Sequence, residues 1–359
     1  MRPTPSVLVA FPLFMGVLGI SGCSHSSPAE SGRVPSAAIK AAFAPPGESN
    51  VRSSIALGDG VALVGTEETG DVFKTSDSGQ TWSKVIDGGD RWGIQDVRNF
   101  IRADDGRLYA TTSEPALVLR SADEGDTWEQ VIEADASRTV ALAQLRSGAM
   151  LVGLRRSGND RISLLRSENG FATHDVVVLD ESLPRQNTTS LIELESGTVL
   201  AGVGFEASGK VFRSADDGRS WAQTAEFPDA RDLMDFFEID GRAYVTASGI
   251  ATIYASDDDG VTWREHVQIW EKGFLGEHAV LEHAGSTHHL LSGTDQRSET
   301  KRHVVLISDD DGASWHEWIE LATDTSGGAS NVAVIDEHTV IVGTGNHSVQ
   351  GKLYTLSVK

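Results

Sequence analysis

The chain has 359 residues, with 52 acidic against 30 basic side chains for a formal net charge of −22, and a single cysteine. That charge excludes nucleic acid as a partner, because phosphates would be repelled. One cysteine excludes any disulfide within the chain, so packing must supply the stability. The length is long for one hydrophobic core and suits an architecture that grows by adding neighbours.

In chain order, residues 1–22 read as a targeting segment. Arg2 gives a weakly basic start, and the apolar run from Val7 to Ile20 is too short to remain as a membrane-spanning helix. Ile20-Ser21-Gly22-Cys23 resembles the lipobox of bacterial lipoproteins. The resemblance implies cleavage before Cys23, lipidation of Cys23 and a membrane anchor. Ser24 follows, where Asp would be the usual inner-membrane retention signal, so the outer membrane of the cell envelope is the expected location. Residues 23–36 are small and polar, which suits a flexible tether, and one domain is expected over 37–359.

From there the chain reads as short strands. Ala37 to Phe43 is an extended segment with no unit of its own. The second unit alternates over Val97 to Arg102, turns at Asp104-Asp105-Gly106, and continues through Leu108 to Thr112, Leu117 to Ser121 and Thr127 to Ile132. The fourth unit repeats that order with Leu191 to Leu194, Val199 to Val203, Lys210 to Ser214 and Trp221 to Thr224. No helical periodicity is evident after residue 36. The final stretch supplies three strands, Val332 to Ile335, Thr339 to Gly343 and Lys352 to Val358.

One box punctuates this series. Ser121-Ala122-Asp123-Glu124-Gly125-Asp126-Thr127-Trp128 follows the pattern S-x-D-x-G-x-[ST]-W, which returns, with Thr leading the first copy, at 75–82, 214–221, 256–263 and 308–315. Ser167-Glu168-Asn169-Gly170 is a worn copy that has lost its tryptophan. The tryptophans lie 46, 93, 42 and 52 residues apart, the 93 covering two periods, and such a period marks an array of one supersecondary unit. Physically the box fastens a hairpin: Ser and Asp accept backbone N–H groups of their own turn, Gly supplies a positive φ, and Trp restarts a strand.

The box is similar to the Asp-box, or BNR, repeat of sialidase-like β-propellers. That resemblance implies an all-β, seven-bladed β-propeller, with the boxes at the turns between third and fourth strands and the ring closed by the N-terminal strand joining the C-terminal three; six blades, as in sialidases, is the alternative. It also gives Asp77, Asp123, Asp216, Asp258 and Asp310 a structural role, remote from the central pocket. A monomer without cofactor or metal is expected.

Function should then lie on the central face, in the loops entering the first strand and joining the second to the third. Arg52, Arg98, Arg138, Arg185 and Arg231 sit at or just before first strands, with Arg91 beside them; Arg155, Arg156, Arg161, Lys210, Arg297, Lys301 and Arg302 fall in the other loops. Guanidinium groups gathered near one axis would bind carboxylates or sulfates bidentately; the bland alternative is pairing with surface Asp and Glu. Trp92 and Trp270 are candidate sugar platforms, or packing residues. Carboxylates for acid and base work are Asp96, Glu114, Asp160, Glu206, Asp232, Asp235, Glu271, Glu277 and Asp295. His278 and His303, read as loop residues, are candidates for a base with Asp295, but no metal-ligand spacing accompanies them.

Sialidase activity is not carried over. Tyr109 and Tyr244 occupy second-strand positions and Tyr254 and Tyr354 third-strand positions where other units place Val, Phe or Leu, so all four read as packing residues. Around Arg52 the chain reads Val51-Arg52-Ser53-Ser54-Ile55, without an Arg-Ile-Pro opening motif. Asp-box propellers also include xyloglucan hydrolases, polysaccharide lyases, sortilin-type receptors and a photosystem II assembly factor, so the architecture alone does not fix activity. Two readings follow: a lipoprotein that binds, and is a candidate to cleave, an acidic glycan as a glycoside hydrolase or lyase, and a non-catalytic propeller that docks a protein partner.

Overall fold

The computed structural model describes residues 34–155, 161–181, 186–204, 208–324, 327–346 and 349–359. Strand β1 (Ala37–Phe43) is followed by β2 (Asn50–Gly58), β3 (Val61–Glu67), β4 (Val72–Thr75) and β5 (Ser83–Ile86), which pair in that order as one antiparallel set. A single-turn helix, α1 (Gly88–Trp92), leads into β6 (Asp96–Arg102), β7 (Leu108–Ser113), β8 (Leu117–Ser121) and β9 (Glu129–Glu133). Two more such sets are β10 (Arg138–Gln144), β11 (Met150–Arg155), β12 (Ile162–Ser167), β13 (Asp175–Asp180), and β14 (Asn187–Glu193), β15 (Val199–Gly204), β16 (Gly209–Ser214), β17 (Ala222–Phe227). Helix α1 corrects the expectation of strands alone after residue 36. Five residues are too few for a periodic signal, and the turn is made by its caps, Asp87 accepting from the Asp90 N–H and Gly93 at φ 70°.

Beyond Asp232 the four-strand rhythm persists but its joints straighten. Strand β18 (Asp232–Ile239) pairs with the first half of β19 (Arg242–Ser256), and the second half of β19 pairs with the first half of β20 (Arg264–His283). The second half of β20 then opens the next set, with β21 (Ser286–Asp295), β22 (Lys301–Ser308) and β23 (His316–Asp324). The last strands, β24 (Gly328–Asp336), β25 (Thr339–Asn346) and β26 (Val349–Val358), are completed by β1, which lies antiparallel on β26 from Ala37 opposite Val358 to Phe43 opposite Leu353.

Between sets, hydrogen bonding is sparse and packing is continuous. Single bridges such as Glu67 to Asp96 and Ser113 to Arg138 stitch some sets into a larger sheet, and the hydrogen-bonded path stays open. The first strands nevertheless touch in cyclic order, β2, β6, β10, β14, β18, β20 and β24, and β24 touches β2 again. The core is a series of interfaces between neighbouring sets rather than one centre. Val118 and Ile132 of one set meet Leu142 and Val152 of the next, and Val51 and Val64 of the first four-stranded set meet Ile341 and Leu353 of the last. A sheet covered on both faces reads as a run of buried residues, as β7 and β15 do.

The turn between β8 and β9 shows how the repeated box works. The Asp123 carboxylate accepts the Ser121 hydroxyl at 2.8 Å, the Thr127 N–H at 2.8 Å and the Thr127 hydroxyl at 2.5 Å, while Ser121 Oγ accepts the Gly125 N–H at 2.9 Å. Trp128 donates its indole N–H to Gly125 O at 2.9 Å. Gly125 has φ 86°, and a Cβ there would lie 2.6 Å from Leu63 Cδ1 on β3, so the glycine also permits close approach to the preceding set. Replacing Ser121 with Ala should leave the buried Gly125 N–H unpartnered and cost about 1–3 kcal/mol. Thermal unfolding checks this, with Val261→Ala, at a half-exposed site, as a control expected to stay within about 0.5 kcal/mol.

Candidate functional site

Every first strand carries the same irregularity, and the site is built on it. Register shifts by one residue after Val51, Val97, Thr139, Thr188, Leu233, Leu275 and Ala329, so each of these strands holds a β-bulge at one level. A bulge bends its strand and re-aims a side chain. The residues that follow are Arg52, Arg98, Val140, Thr189, Met234, Gly276 and Ser330, and all of them line one cavity of about 430 Å³. That volume lies in the usual range for a small-molecule or oligosaccharide site.

Arg52, Arg98, Arg138, Arg155 and Arg231 all line this cavity. Arg98 pairs with Asp96 at 2.5 Å, and Asp96 also accepts the Ser113 hydroxyl at 2.8 Å. Burial would raise the Asp96 carboxyl, but Arg98, Arg52 and the Ser113 hydroxyl outweigh it and hold the group below the usual carboxylate range. Burial, with the charges of Arg52 and Arg138 close by, pulls Arg98 down to about 10 against the support of Asp96, which leaves it cationic at neutral pH. Arg138 reaches Glu114 at 3.4 Å, Arg52 reaches Glu67 at 3.7 Å, and Arg231 reaches Asp232 at 3.1 Å. Nε of Arg98 and of Arg138 is buried without a hydrogen-bond partner, so the hydrogen-bonding capacity of these guanidinium groups is not exhausted by their carboxylate partners.

Three carboxyls line the same space: Asp232, which is tied to Arg231, and Asp235 and Glu277. Asp235 and Glu277 border the larger cavity and also a smaller one of about 150 Å³ that includes Ser54, Phe100 and His278, one or two residues further along the strands. Asp235 accepts the His278 N–H at 2.9 Å. Burial raises Asp235 to about 7 against that backbone bond, and burial together with the Asp235 charge raises Glu277 well above the carboxylate range. Both are half-buried, deep in a channel yet in reach of water.

The other candidates lie elsewhere. Arg91 is exposed, donates to Trp128 O at 2.9 Å and stacks 4.2 Å over Trp92, which packs against the core from α1, so neither borders the cavity. Trp270 is buried inside β20, because the chain crosses between sets there as a continuous strand and not as a loop. His278 also lies in β20, stacked on Phe237 and 3.0 Å from the His289 ring; burial and then His289 push it down to about 3, so it stays neutral and is no base at neutral pH. His303 is buried in β22, and Asp295 is tied to Arg297 and Arg302. Arg161, Lys210 and Arg302 pair with Glu181, Glu226 and Glu317. Arg185, Arg156, Asp160 and Glu206 lie outside the described residues. Among the described residues no His, Cys, Asp or Glu cluster is suited to a metal, and none of the four tyrosines lines the cavity. Asn187, Thr189 and Gln296 were not singled out from the sequence, yet they line it.

Packed four-stranded sets around a central cavity define a β-propeller. The chain belongs to the family of the DUF6242 beta propeller domain, whose model matches residues 38–270. No curated protein sequence matches it. Among solved structures it is similar to YCF48 bound to D1 peptide, with 16% identity, TM-score 0.61, 93% of this chain and 100% of that chain covered. It is similar to the GH74 xyloglucanase of Xanthomonas campestris, with 17% identity, TM-score 0.59, 87% of this chain and 52% of that one. It is also similar to a PL25 ulvan lyase bound to -[GlcA(1-4)Rha3S]-, with 8% identity, TM-score 0.59, 88% and 96% covered. At these identities the likeness establishes the fold.

The raised acids carry a testable sign. With Asp235 at about 7 when folded, against an ordinary 3.8, the folded protein binds the extra proton between those values, so stability falls as pH rises from about 4 to 7. Asp235→Asn should remove that fall. Melting temperatures at pH 5 and pH 8 check it: the wild-type loss on going to pH 8 should shrink in the variant.

Proposed function

We propose that the protein is a lipoprotein of the cell envelope whose seven-bladed, Asp-box propeller binds an acidic glycan in the arginine-lined cavity and is a candidate to cleave it as a glycoside hydrolase or lyase. The observation that carries this reading is the convergence of five arginines on one cavity in a chain of net charge −22. The blade count follows the cyclic contacts of the first strands, with β1 completing the last set, and the Asp-box assignment follows the hydrogen bonds at Asp77, Asp123, Asp216, Asp258 and Asp310. The anchor follows Ile20-Ser21-Gly22-Cys23 and the outer-membrane location Ser24.

Guanidinium groups with unused donors suit carboxylate or sulfate groups repeated along a polysaccharide. The ulvan lyase with its bound acidic saccharide and the xyloglucanase favour a glycan on this architecture. A second reading, a non-catalytic propeller that docks a protein, is favoured by the YCF48 structure with its bound peptide. The same arginines would then hold an acidic side chain or a terminal carboxylate.

The test separates the two. Detergent-solubilised protein is passed over immobilised polygalacturonate, alginate and chondroitin sulfate, and over an acidic peptide. Arg138 and Arg231 are the arginines to change, because their side chains are 26% and 69% exposed, whereas Arg98 shares a buried pair with Asp96 whose disruption would cost about 3–5 kcal/mol. Arg138→Gln with Arg231→Gln should weaken glycan retention at least about tenfold, the loss of one or two charged hydrogen bonds, and leave the melting temperature nearly unchanged. Retention unaffected by the double change, or confined to the peptide, removes the glycan reading. Incorporation of radiolabelled palmitate, abolished by Cys23→Ser, checks the anchor.

A further inference from the structure

We propose that Asp235 and Glu277 are the general base and general acid of a glycoside-hydrolysing centre, whose substrate is an acidic saccharide held across the cavity by Arg52, Arg98 and Arg138. The inference rests on the acidic-glycan reading of that cavity and goes beyond it by placing the chemistry.

The argument comes from the protein's departure from its own repeat. The second residue after the last regular pair of each first strand is Ser53, Asn99, Ala141, Ser190, Asp235, Glu277 or Asn331. At three of these positions a neutral side chain donates to a carbonyl on the first strand of the next set. Ser53 donates to Val97 O at 2.8 Å, Ser190 to Leu233 O at 3.3 Å and Asn331 to Val51 O at 2.7 Å. Asp235 and Glu277 turn to acceptors instead, taking the N–H groups of His278 and Val332 on the neighbouring first strands. Asn99 and Ala141 at the remaining two positions are neutral, so Asp235 and Glu277 are the titratable residues of the seven, and two carboxyls at adjacent positions of an otherwise neutral repeat point to function.

Three further observations place reacting groups there. The first strands of the two sets, β18 and β20, touch, and both carboxyls border the larger and the smaller cavity. Facing the same space are Arg52, Arg98 and Arg138, from the adjacent strands β2, β6 and β10. Arg98 lines the cavity although it is about nine-tenths buried, and its Nε has no hydrogen-bond partner, so a cation unspent on internal pairing stands at the wall independently of the acids. Burial and the neighbouring charge raise Glu277 well above the carboxylate range and burial raises Asp235 to about 7, and beside the shared cavity this gives Glu277 the acid role and Asp235 the base role.

In the step itself the glycosidic C–O bond breaks as the Glu277 proton passes to the departing oxygen. Water adds its hydroxyl to the anomeric carbon, and its remaining proton passes to the Asp235 carboxylate. Exchange with solvent returns both groups to their starting states, so water is the only co-reactant.

The experiment uses whichever of polygalacturonate, alginate and chondroitin sulfate the wild-type protein retains, and measures new reducing ends together with product absorbance. The expected result is hydrolysis to a saturated product. Glu277→Gln and Asp235→Asn should each lower turnover at least about a hundredfold while retention stays at the wild-type level. The rate should also rise with pH through about 7 as Asp235 ionises, a limb that Asp235→Asn abolishes. Retention without new reducing ends, an unsaturated product, or full turnover by either variant overturns the acid and base assignment and leaves the binding reading standing. Failure to retain any of the three overturns both. Difference infrared spectra at pH 8, where Asp235 is ionised, should show a protonated carboxylic acid that Glu277→Gln removes, and its absence from the wild type likewise sinks the role given to Glu277.

Discussion

The structure depends on the face-to-face burial of neighbouring four-stranded sets. Leu63 and Val64, consecutive on β3, are both fully buried, because one side of that sheet meets the following set and the other meets the last. A sheet covered on both faces has no independent stability, since each set buries its apolar surface only against its neighbours. The exception is along the middle, where first strands face one another across open space. There polar and charged side chains line the space together with Val140, Leu142, Leu191, Met234 and Phe274, and the cavity follows from the packing.

The fastened turns serve the same interfaces. Asp123 ties its own turn, but Gly125 lies against Leu63 of the preceding set. At the first copy the neighbour is the end of the chain: Thr355 donates to Gly79 O at 3.1 Å, and Ser78 donates to Asp336 at 2.9 Å. These contacts join residues more than 250 positions apart, so the entropy of closing the whole chain is met where its last set returns to the first. The pairing of Ala37–Phe43 with β26 adds a backbone ladder at the same seam.

Period, strand class and the gathering of Arg52, Arg98, Arg138, Arg155 and Arg231 were legible in the sequence, because a repeat fixes which loop positions become neighbours. Trp270 and His278 were read as loop residues because the model unit had four separate strands, whereas β20 runs from Arg264 to His283 through two sets. Arg91 and Trp92 looked central by sequence distance, but α1 holds them against the core and beside Trp128. The bulges were not legible at all. A bulge is a relation between two strands, and only the pairing of Val97 with Thr112 and of Asn99 with Thr111 shows that Arg98 is the extra residue. The nine candidate carboxylates could not be ranked for the same reason.

Once the bulges are placed, the cavity is polarised. The arginines at and beside the bulges of β2, β6 and β10 form one arc, and the carboxyls on β18 and β20 form another. Water screens such charges weakly in an enclosed space, so each arc acts on a ligand with more force than the same groups would on the surface. Burial, and then repulsion from Arg52 and Arg138, pulls Arg98 down to about 10, and each of Arg52, Arg98 and Arg138 keeps a carboxylate in reach. Those partners, Glu67, Asp96 and Glu114, are not among the residues that line the cavity, so they neutralise the cluster without filling the space. In a chain of net charge −22, the wall of this cavity thus sets the arginines of β2, β6 and β10 opposite no excess of acid: Arg231 answers Asp232, and Asp235 and Glu277 are the carboxyls left to meet them.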